Sequence, residues 1–273
     1  MSAYRMPIVT LTTDWGTSDF YVAAFKGHIL SLCPQACIVD ISHDTSHLEN
    51  ITQGAYKLRN AYPFFPESSI HVVGVSSEAY PNEPFIAAES NGHFFICKNN
   101  GFLSLALDDF GSATAIAQPE KLLAGFSILH VVPPAIQKLL QGVPVSSLGE
   151  AIAPKTFTLP QPIIRHRRAE QGAKPCVETI IGHIVHVDSN GNVITNITRT
   201  LFYGNAQNRP YTIFVSSNRY SIAQVSNTYA DVKDGTLVAF FNSQGLLEIA
   251  TSNGNSSHLY KYGNDSTVTI VFK

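Results

Sequence analysis

Charge is scarce in this chain. Asp, Glu, Lys and Arg make up 14% of its 273 residues, where an ordinary globular domain has about a quarter. The 18 basic and 20 acidic residues leave a net charge of −2, which supplies no field for nucleic acid or an anionic membrane surface. The only basic run, Arg165-His166-Arg167-Arg168, is short and reads as a solvated face. Cysteine is scarce too. Cys33, Cys37, Cys97 and Cys176 have neither zinc-site spacing nor the density of a disulfide scaffold, so packed free thiols are expected. No apolar run is long enough to span a bilayer. No signal peptide precedes the first apolar run, so a cytoplasmic location is expected. Gly16 stands alone after that run, with no glycine-rich phosphate fingerprint, and there is no Gly-x-Ser-x-Gly elbow. Dinucleotide sites, phosphate cradles and elbow-type serine hydrolases lose their usual signals. There is no internal repeat and no low-complexity tract.

What is present is a core. Apolar residues reach 44%, enough for a large globular interior and two domains. Low charge also leaves apolar surface to bury between subunits, so an oligomer is expected. Strand-like runs at Ile8–Leu11, 36–41 and 70–75 alternate with helical spacing at Tyr21, Val22, Phe25 and Ile29, and again at Ile51, Ala55, Leu58 and Tyr62, ended by Pro63. Asn91-Gly92 between Phe85–Glu89 and His93–Cys97 predicts a hairpin. A further helix is expected over Pro133–Gln141. This alternation predicts an α/β domain with a mostly parallel sheet over residues 1–160. Residues 161–175 lose periodicity and read as a linker. From 176 to 273 strand and turn follow one another, which predicts a smaller antiparallel β-barrel domain.

The densest chemistry lies after the first run. Thr12-Thr13-Asp14-Trp15-Gly16-Thr17-Ser18-Asp19 collects two carboxylates and the chain's only tryptophan where open α/β sheets bind ligands, beyond a strand's carboxyl end. Asp19 or Ser18 is also a candidate N-cap for the helix that follows. Other polar clusters fall at 42–47, 76–83, 188–192, 242–245 and 253–254. His43 and His47 beside Asp44 make only a minor case for zinc, so no metal site is expected. Asp188-Ser189-Asn190-Gly191-Asn192 lacks the later glutamate of a calcium loop and reads as an Asn-Gly turn.

The stretch Leu11-Thr12-Thr13-Asp14-Trp15-Gly16-Thr17-Ser18-Asp19-Phe20-Tyr21-Val22 resembles the opening signature of the S-adenosylmethionine hydroxide adenosyltransferases, relatives of the fluorinating and chlorinating enzymes that use the same substrate. The resemblance continues through Val39-Asp40-Ile41-Ser42-His43, Phe65-Pro66-Glu67, Asn99-Asn100-Gly101-Phe102-Leu103, Gly142-Val143-Pro144, residues 188–196 and residues 242–250, in the family's order. It implies an N-terminal α/β domain, a C-terminal barrel, and a homotrimer whose sites lie between one subunit's N-domain and a neighbour's C-domain. It also implies transfer of the 5′-carbon of S-adenosylmethionine to water or a halide, with no metal or other cofactor.

By matched position, the resemblance gives Asp14 to the ribose hydroxyls, Asp19 and Asp188 to the methionine ammonium, and Ser243 to its carboxylate. Asn192 takes the adenine edge and Tyr229 its face; Trp15, Tyr21, Gln244 and Asn253 join them as substrate-binding positions. The departures fall on the chemistry. Hydrolytic members carry an aspartate after the third strand, then an arginine, and a histidine in a later loop; here the matching positions hold Ser76, Glu83 and Ser127. His130 lies near Ser127, so Ser76, Ser127 and His130 are the catalytic candidates. Asn190 stands at a family phenylalanine, and Gln244 where halogenases place an arginine. Three readings follow: a hydrolase with a rearranged water-activating group, a catalytically silent nucleoside-binding protein, or an enzyme for another nucleoside or nucleophile.

Overall fold

A computed structural model describes residues 6–44, 50–78, 83–118, 125–166, 177–260, 262 and 266–273. The chain divides into two compact units, Met1–Leu159 and Pro160–Lys273. Among the described residues, no helix is long and apolar enough to cross a membrane.

In chain order, the first unit contains β1 (Ile8–Thr13), α1 (Tyr21–Leu32), β2 (Cys37–Ser42), α2 (Asn50–Ala61), β3 (Ile70–Gly74), β4 (Phe85–Ser90), β5 (His93–Lys98), α3 (Phe102–Ala106), β6 (Ala113–Ile116), α4 (Ile128–Leu140) and β7 (Gly149–Ile152). Its seven-stranded sheet has the order β2-β1-β3-β5-β4-β6-β7. The half that follows the opening motif is parallel: β1 pairs with β2 and β3, and β3 with β5. The β4–β5 hairpin then reverses direction, turning at Asn91 and Gly92, both with φ positive, and antiparallel β6 and β7 complete the sheet.

Both faces of this sheet are covered. Val9 and Leu11 of β1 and Ile70 and Val72 of β3 pack with Phe25 and Ile29 of α1 and Val132 and Ile136 of α4. On the other face, Val73, Ile86 and Phe95 pack with Ala55 and Leu58 of α2 and Phe102 of α3. Because β1 is followed by β2 on one side and flanked by β3 on the other, the chain changes winding direction between β1 and β3. A crevice opens at the carboxyl ends of strands at such a point.

Two local expectations need correction. α1 starts after Phe20, which stands at the cap position with no side-chain cap bond, so neither Asp19 nor Ser18 caps it. α4 begins at Ile128 rather than Pro133 and carries Pro133 and Pro134 inside it. Pro133 has no N–H to give the Leu129 carbonyl. That carbonyl instead lies 2.8 Å from His28 Nδ1 of α1, so a contact between helices replaces the missing bond.

The second unit contains β8 (Ile163–His166), β9 (Val177–Val187), β10 (Val193–Thr198), α5 (Arg199–Ala206), β11 (Tyr211–Val215), β12 (Ser217–Ile222), β13 (Leu237–Phe241), β14 (Leu246–Thr251), α6 (Ser256–Tyr260) and β15 (Thr267–Phe272). The strands run β12-β11-β15-β9-β10-β14-β13, all antiparallel, and the two end strands touch, giving a nearly closed barrel. The long β9 makes this possible: its first half pairs with β15 and its second with β10. Ile180, Val193, Phe202, Ile249 and Phe272 fill the interior. Within the stretch read as a linker, Ile163–His166 pairs with β9 as β8. Cys33, Cys37 and Cys97 are free thiols; Cys176 lies outside the described residues.

Candidate functional site

The crevice between β1 and β3 holds a cleft of about 830 Å³. Asp14 leaves the end of β1, and its Oδ2 accepts the Ser76 backbone N–H at 2.8 Å, joining the loops that follow the two strands. Ser76 adopts φ +47°, a left-handed conformation that a serine enters only where its surroundings enforce it. Trp15 turns back over the sheet with its ring against Gly74. A Cβ at residue 74 would lie 2.3 Å from the ring, so only glycine admits the indole. Phe25 and Phe126 meet the same ring edge-on, with centroids 5.3 and 4.9 Å away. Tyr21 meets Phe126 at 5.0 Å. Glu78 Oε1 accepts the Phe126 N–H at 2.6 Å, holding that aromatic at the cleft.

His43 forms the opposite wall. Its carbonyl accepts the Gly16 N–H at 2.8 Å. Its Nδ1 lies 2.7 Å from Thr13 Oγ1 and its Nε2 3.1 Å from Asp40 Oδ1. Burial pushes the Asp40 carboxyl up, but hydrogen bonds from Lys26 and His43 outweigh it and hold the group below the usual carboxylate range. Among the described residues, the charged side chains lining the cleft are Asp14, Asp19, Asp44 and Glu78, with Lys98 as the one ammonium among them.

Of the residues named from sequence in this unit, Asp14, Trp15, Asp19, Tyr21 and Ser76 line the cleft together. Ser127 and His130 do not. Ser127 is buried just before α4, where its carbonyl accepts the His130 and Val131 N–H groups, and His130 is exposed on the first turn of that helix. Glu83 does not line the cleft either; its two carboxylate oxygens bind Lys98 and Lys155, each at 2.7 Å. Among the described residues, no cluster of three His, Cys, Asp or Glu side chains is arranged for a metal ion; His47 lies outside them.

The second unit carries its own polar cluster. The turn reading of Asp188 holds: its Oδ1 accepts the Asn190 and Asn192 N–H groups at 2.9 and 2.8 Å, and Gly191 takes φ +77°. The turn also builds a network. Asn192 Nδ2 donates to Asp188 Oδ2 at 2.9 Å and to the Tyr229 hydroxyl at 3.4 Å, and that hydroxyl donates to Glu248 Oε1 at 2.7 Å. Asn242 Nδ2 reaches Glu248 Oε2 at 3.3 Å. Burial raises the Glu248 carboxyl above the usual range, with the Asp188 charge acting the same way, and the bonds from Tyr229 and Asn242 offset only part of this. Burial and the same Glu248 hold the Tyr229 phenol on its protonated side.

Asp188, Asn192 and Tyr229 are therefore brought together. Ser243 and Gln244 are exposed in the adjoining β13–β14 turn, where Asn242 Oδ1 accepts the Gln244 N–H. Asn253 lies apart, its amide on Asp234 at 2.9 Å.

The sequence matches the profile of the SAM hydroxide adenosyltransferase N-terminal domain over residues 9–149 and that of the C-terminal domain over residues 182–269. The chain belongs to the SAM hydroxide adenosyltransferase family. Among similar family proteins are an (R)-S-adenosyl-L-methionine hydrolase of Salinispora arenicola, 25% identical with 93% of each chain covered, and one of Methanocaldococcus jannaschii, 26% identical over 98% of this chain and 97% of that one. A fluorinase of Nocardia brasiliensis is 25% identical over 94% of each. A conserved protein of Thermotoga maritima with a crystal structure has the same fold, with a TM-score of 0.81 at 24% identity over 97% of this chain and 99% of that one.

Lys98, the His43–Asp40 pair and Glu248 were given no substrate-binding or catalytic role from sequence. Lys98 and Glu248 each had a signal, a single charge in an otherwise apolar strand run, Phe94-Phe95-Ile96-Cys97-Lys98 and Leu246-Leu247-Glu248-Ile249-Ala250. A charge seldom sits in such a run unless it is paired.

Proposed function

We propose that this chain hydrolyses S-adenosyl-L-methionine to adenosine and L-methionine by attack of water at the ribose 5′-carbon. The observation that carries this reading is the cleft at the β1–β3 switch point, built from the family's opening motif around Asp14 and Trp15. Its volume falls within the range of small-molecule sites. Among the described residues, its four carboxylates against one ammonium suit a substrate whose reacting centre is a sulfonium cation. The curated relatives named as S-adenosylmethionine hydrolases, which match this chain along nearly their whole length, support the same activity.

The chemistry asks little of the protein in covalent terms. The leaving group departs as a neutral thioether, so no acid is needed to protonate it and no cofactor to activate it. Orientation in line with the C5′–S bond and removal of bulk water supply much of the rate. In this reading Asp14 accepts the ribose hydroxyls, with Trp15 and Tyr21 as apolar walls, and Asp19 meets the methionine ammonium. Asp188, Asn192, Tyr229, Ser243, Gln244 and Asn253 bind substrate from the C-terminal unit, with Tyr229 against the adenine face. The two sets belong to one site shared by neighbouring subunits of a homotrimer.

A second reading is favoured by Ser76, Glu83 and Ser127 standing at the positions of the water-activating aspartate, arginine and histidine: the pocket binds the nucleoside and performs no chemistry. Incubation with S-adenosylmethionine and chromatographic separation of products decides between them. Adenosine formed by the wild type and not by Asp14→Ala is the expected result. A substrate-induced rise in melting temperature without product would leave the binding reading in its place.

A further inference from the structure

The pairing of β1 with β2 slips just before Asp14. Leu11 stands opposite Asp40, but Thr12 stands opposite Ser42, so Ile41 is an extra residue on β2. An irregularity of this kind re-aims the side chains that follow it. An unbroken register would bring Ser42 level with Thr13. The slipped register brings His43 there instead, and His43 Nδ1 lies 2.7 Å from Thr13 Oγ1. Both residues are buried.

The neighbours of the ring decide where its proton sits. Asp40 Oδ1 lies 3.1 Å from Nε2, and Lys26 Nζ lies 2.5 Å from the other Asp40 oxygen. The burial of Asp40 is outweighed by Lys26 and His43, so the group stays a carboxylate. A ring lone pair facing that anion would be repelled, which puts the proton on Nε2. The contact is electrostatic rather than a straight bond, since Nε2 has no better-aligned acceptor among the described residues. Nδ1 is then the accepting nitrogen, and the Thr13 hydroxyl donates to it. Thr13 Oγ1 in turn accepts the Trp15 N–H at 3.5 Å, a weak bond, and the His43 carbonyl accepts the Gly16 N–H at 2.8 Å. His43 thus grips the loop on both sides of Asp14 and Trp15.

We propose that His43 is a positioning residue of the cleft: as the Nε2–H tautomer set by Asp40, it accepts the Thr13 hydroxyl and fixes the backbone that carries Asp14 and Trp15. The β3 side of the same loop is held by the Asp14 N–H on the Gly74 carbonyl at 3.3 Å and by the Asp14 carboxylate on the Ser76 N–H. The loop is therefore pinned from both neighbouring strands, and a ribose held by Asp14 is presented in line for attack only while both pins hold. The imidazole transfers no proton in this role. The inference rests on the hydrolase reading for what Asp14 binds, and the experiment separates the two.

Two readouts need no turnover. In protein labelled with nitrogen-15 at histidine, the His43 signals are those that His43→Asn removes, and they are expected to show Nε2 protonated and Nδ1 bare at pH 8. The emission of Trp15, the only tryptophan, is expected to shift alike in Thr13→Val, His43→Ala and the double variant. Adenosine formation by folded protein is the third readout. A fall in kcat/KM of about tenfold or more is expected in Thr13→Val and in His43→Ala, and no larger a fall in the double variant, because each change removes the same link. His43→Asn, whose amide oxygen can stand where Nδ1 stood, is expected to recover most of the loss. A proton on Nδ1, an unmoved Trp15 spectrum, a kcat/KM for Thr13→Val within about threefold of the wild type, losses that multiply in the double variant, or a His43→Asn variant no better than His43→Ala overturns the inference. If the wild type releases no adenosine, the hydrolase reading fails. The positioning role is then judged on the two spectroscopic readouts alone: kept if both come out as stated, overturned otherwise.

Discussion

The Asp14 carboxylate and the Ser76 backbone N–H meet at 2.8 Å across 62 residues of sequence. This bond ties together the two loops on either side of the winding reversal, and it links Asp14 of the opening motif to Ser76 at the end of β3. Replacing Asp14 with Ala removes a charged acceptor from the exposed Ser76 amide, at a cost of about 1 kcal/mol in stability. The same change is expected to reduce kcat/KM for S-adenosylmethionine by about 100-fold or more. Asp14→Asn, which keeps an oxygen for Ser76, is expected to recover most of the stability and little of the activity. Urea unfolding and product assays on the two variants check this split.

Gly74 admits the Trp15 ring. Gly74→Ala places a methyl 2.3 Å from Cζ2, and the indole must move. Overpacking of this kind costs about 1–3 kcal/mol. Because Trp15 is the only tryptophan, the displacement is read directly as a shift in intrinsic emission, and substrate affinity is expected to fall with it. An unshifted spectrum would mean that the ring does not rest on Gly74.

Thr10, His71 and His93 form a buried chain on the α2 face of the sheet, with Thr10 Oγ1 2.7 Å from His71 Nδ1 and His71 Nε2 3.1 Å from His93 Nδ1. Burial, with His93 adding to it, lowers the His71 pKa from 6.5 to about 3, and burial lowers that of His93 as well. The folded protein therefore binds fewer protons here than the unfolded chain. The stabilisation is complete above pH 6.5 and is lost as the pH falls toward 3, with a slope of about 1.4 kcal/mol per pH unit for each proton. Denaturant melts at stepped pH are expected to show this loss, and His71→Asn to lower stability at pH 7.5 while flattening the slope.

Glu248 anchors Tyr229 and Asn242 from inside the second unit. Its carboxyl is raised by burial, so its contribution is greatest when protonated and declines as the pH rises through the folded value. Glu248→Gln keeps an acceptor oxygen without a charge and is expected to hold or raise stability at pH 8. Glu248→Ala leaves the Tyr229 hydroxyl and the Asn242 amide without this partner, and is expected to cost about 1–3 kcal/mol and to raise KM for the nucleoside. Thermal melts and steady-state kinetics on both variants test the assignment.

Much of the architecture was legible where a single local signal dominated. The β-branched run at Ile8–Thr13, the helical spacing after Phe20, the Asn91-Gly92 turn and the alternating strands from Tyr211 onward each specify their element without distant partners. The failures came where tertiary contacts override local rules. α1 has no side-chain cap, because Asp19 lines the cleft instead. α4 runs through Pro133 and Pro134 because His28 occupies a carbonyl that proline cannot serve. Ile163–His166 became a strand because β9 offered an unpaired edge. The same holds for the site. Asp14, Trp15, Asp19, Tyr21 and Ser76 lie close to strand ends and could be read from the chain. Ser127 and His130 could not be separated from cleft residues without seeing which way the start of α4 faces. Lys98 gained meaning only beside Glu83 and Lys155.

The central claim is that water attacks the 5′-carbon within the Asp14 cleft. The most direct measurement is turnover of S-adenosylmethionine in oxygen-18-labelled water, with mass analysis of both products. The account predicts one labelled oxygen in adenosine, at the 5′-hydroxyl, and none in methionine beyond solvent exchange of its carboxylate. Unlabelled adenosine, or label carried on the amino-acid side chain, would contradict it.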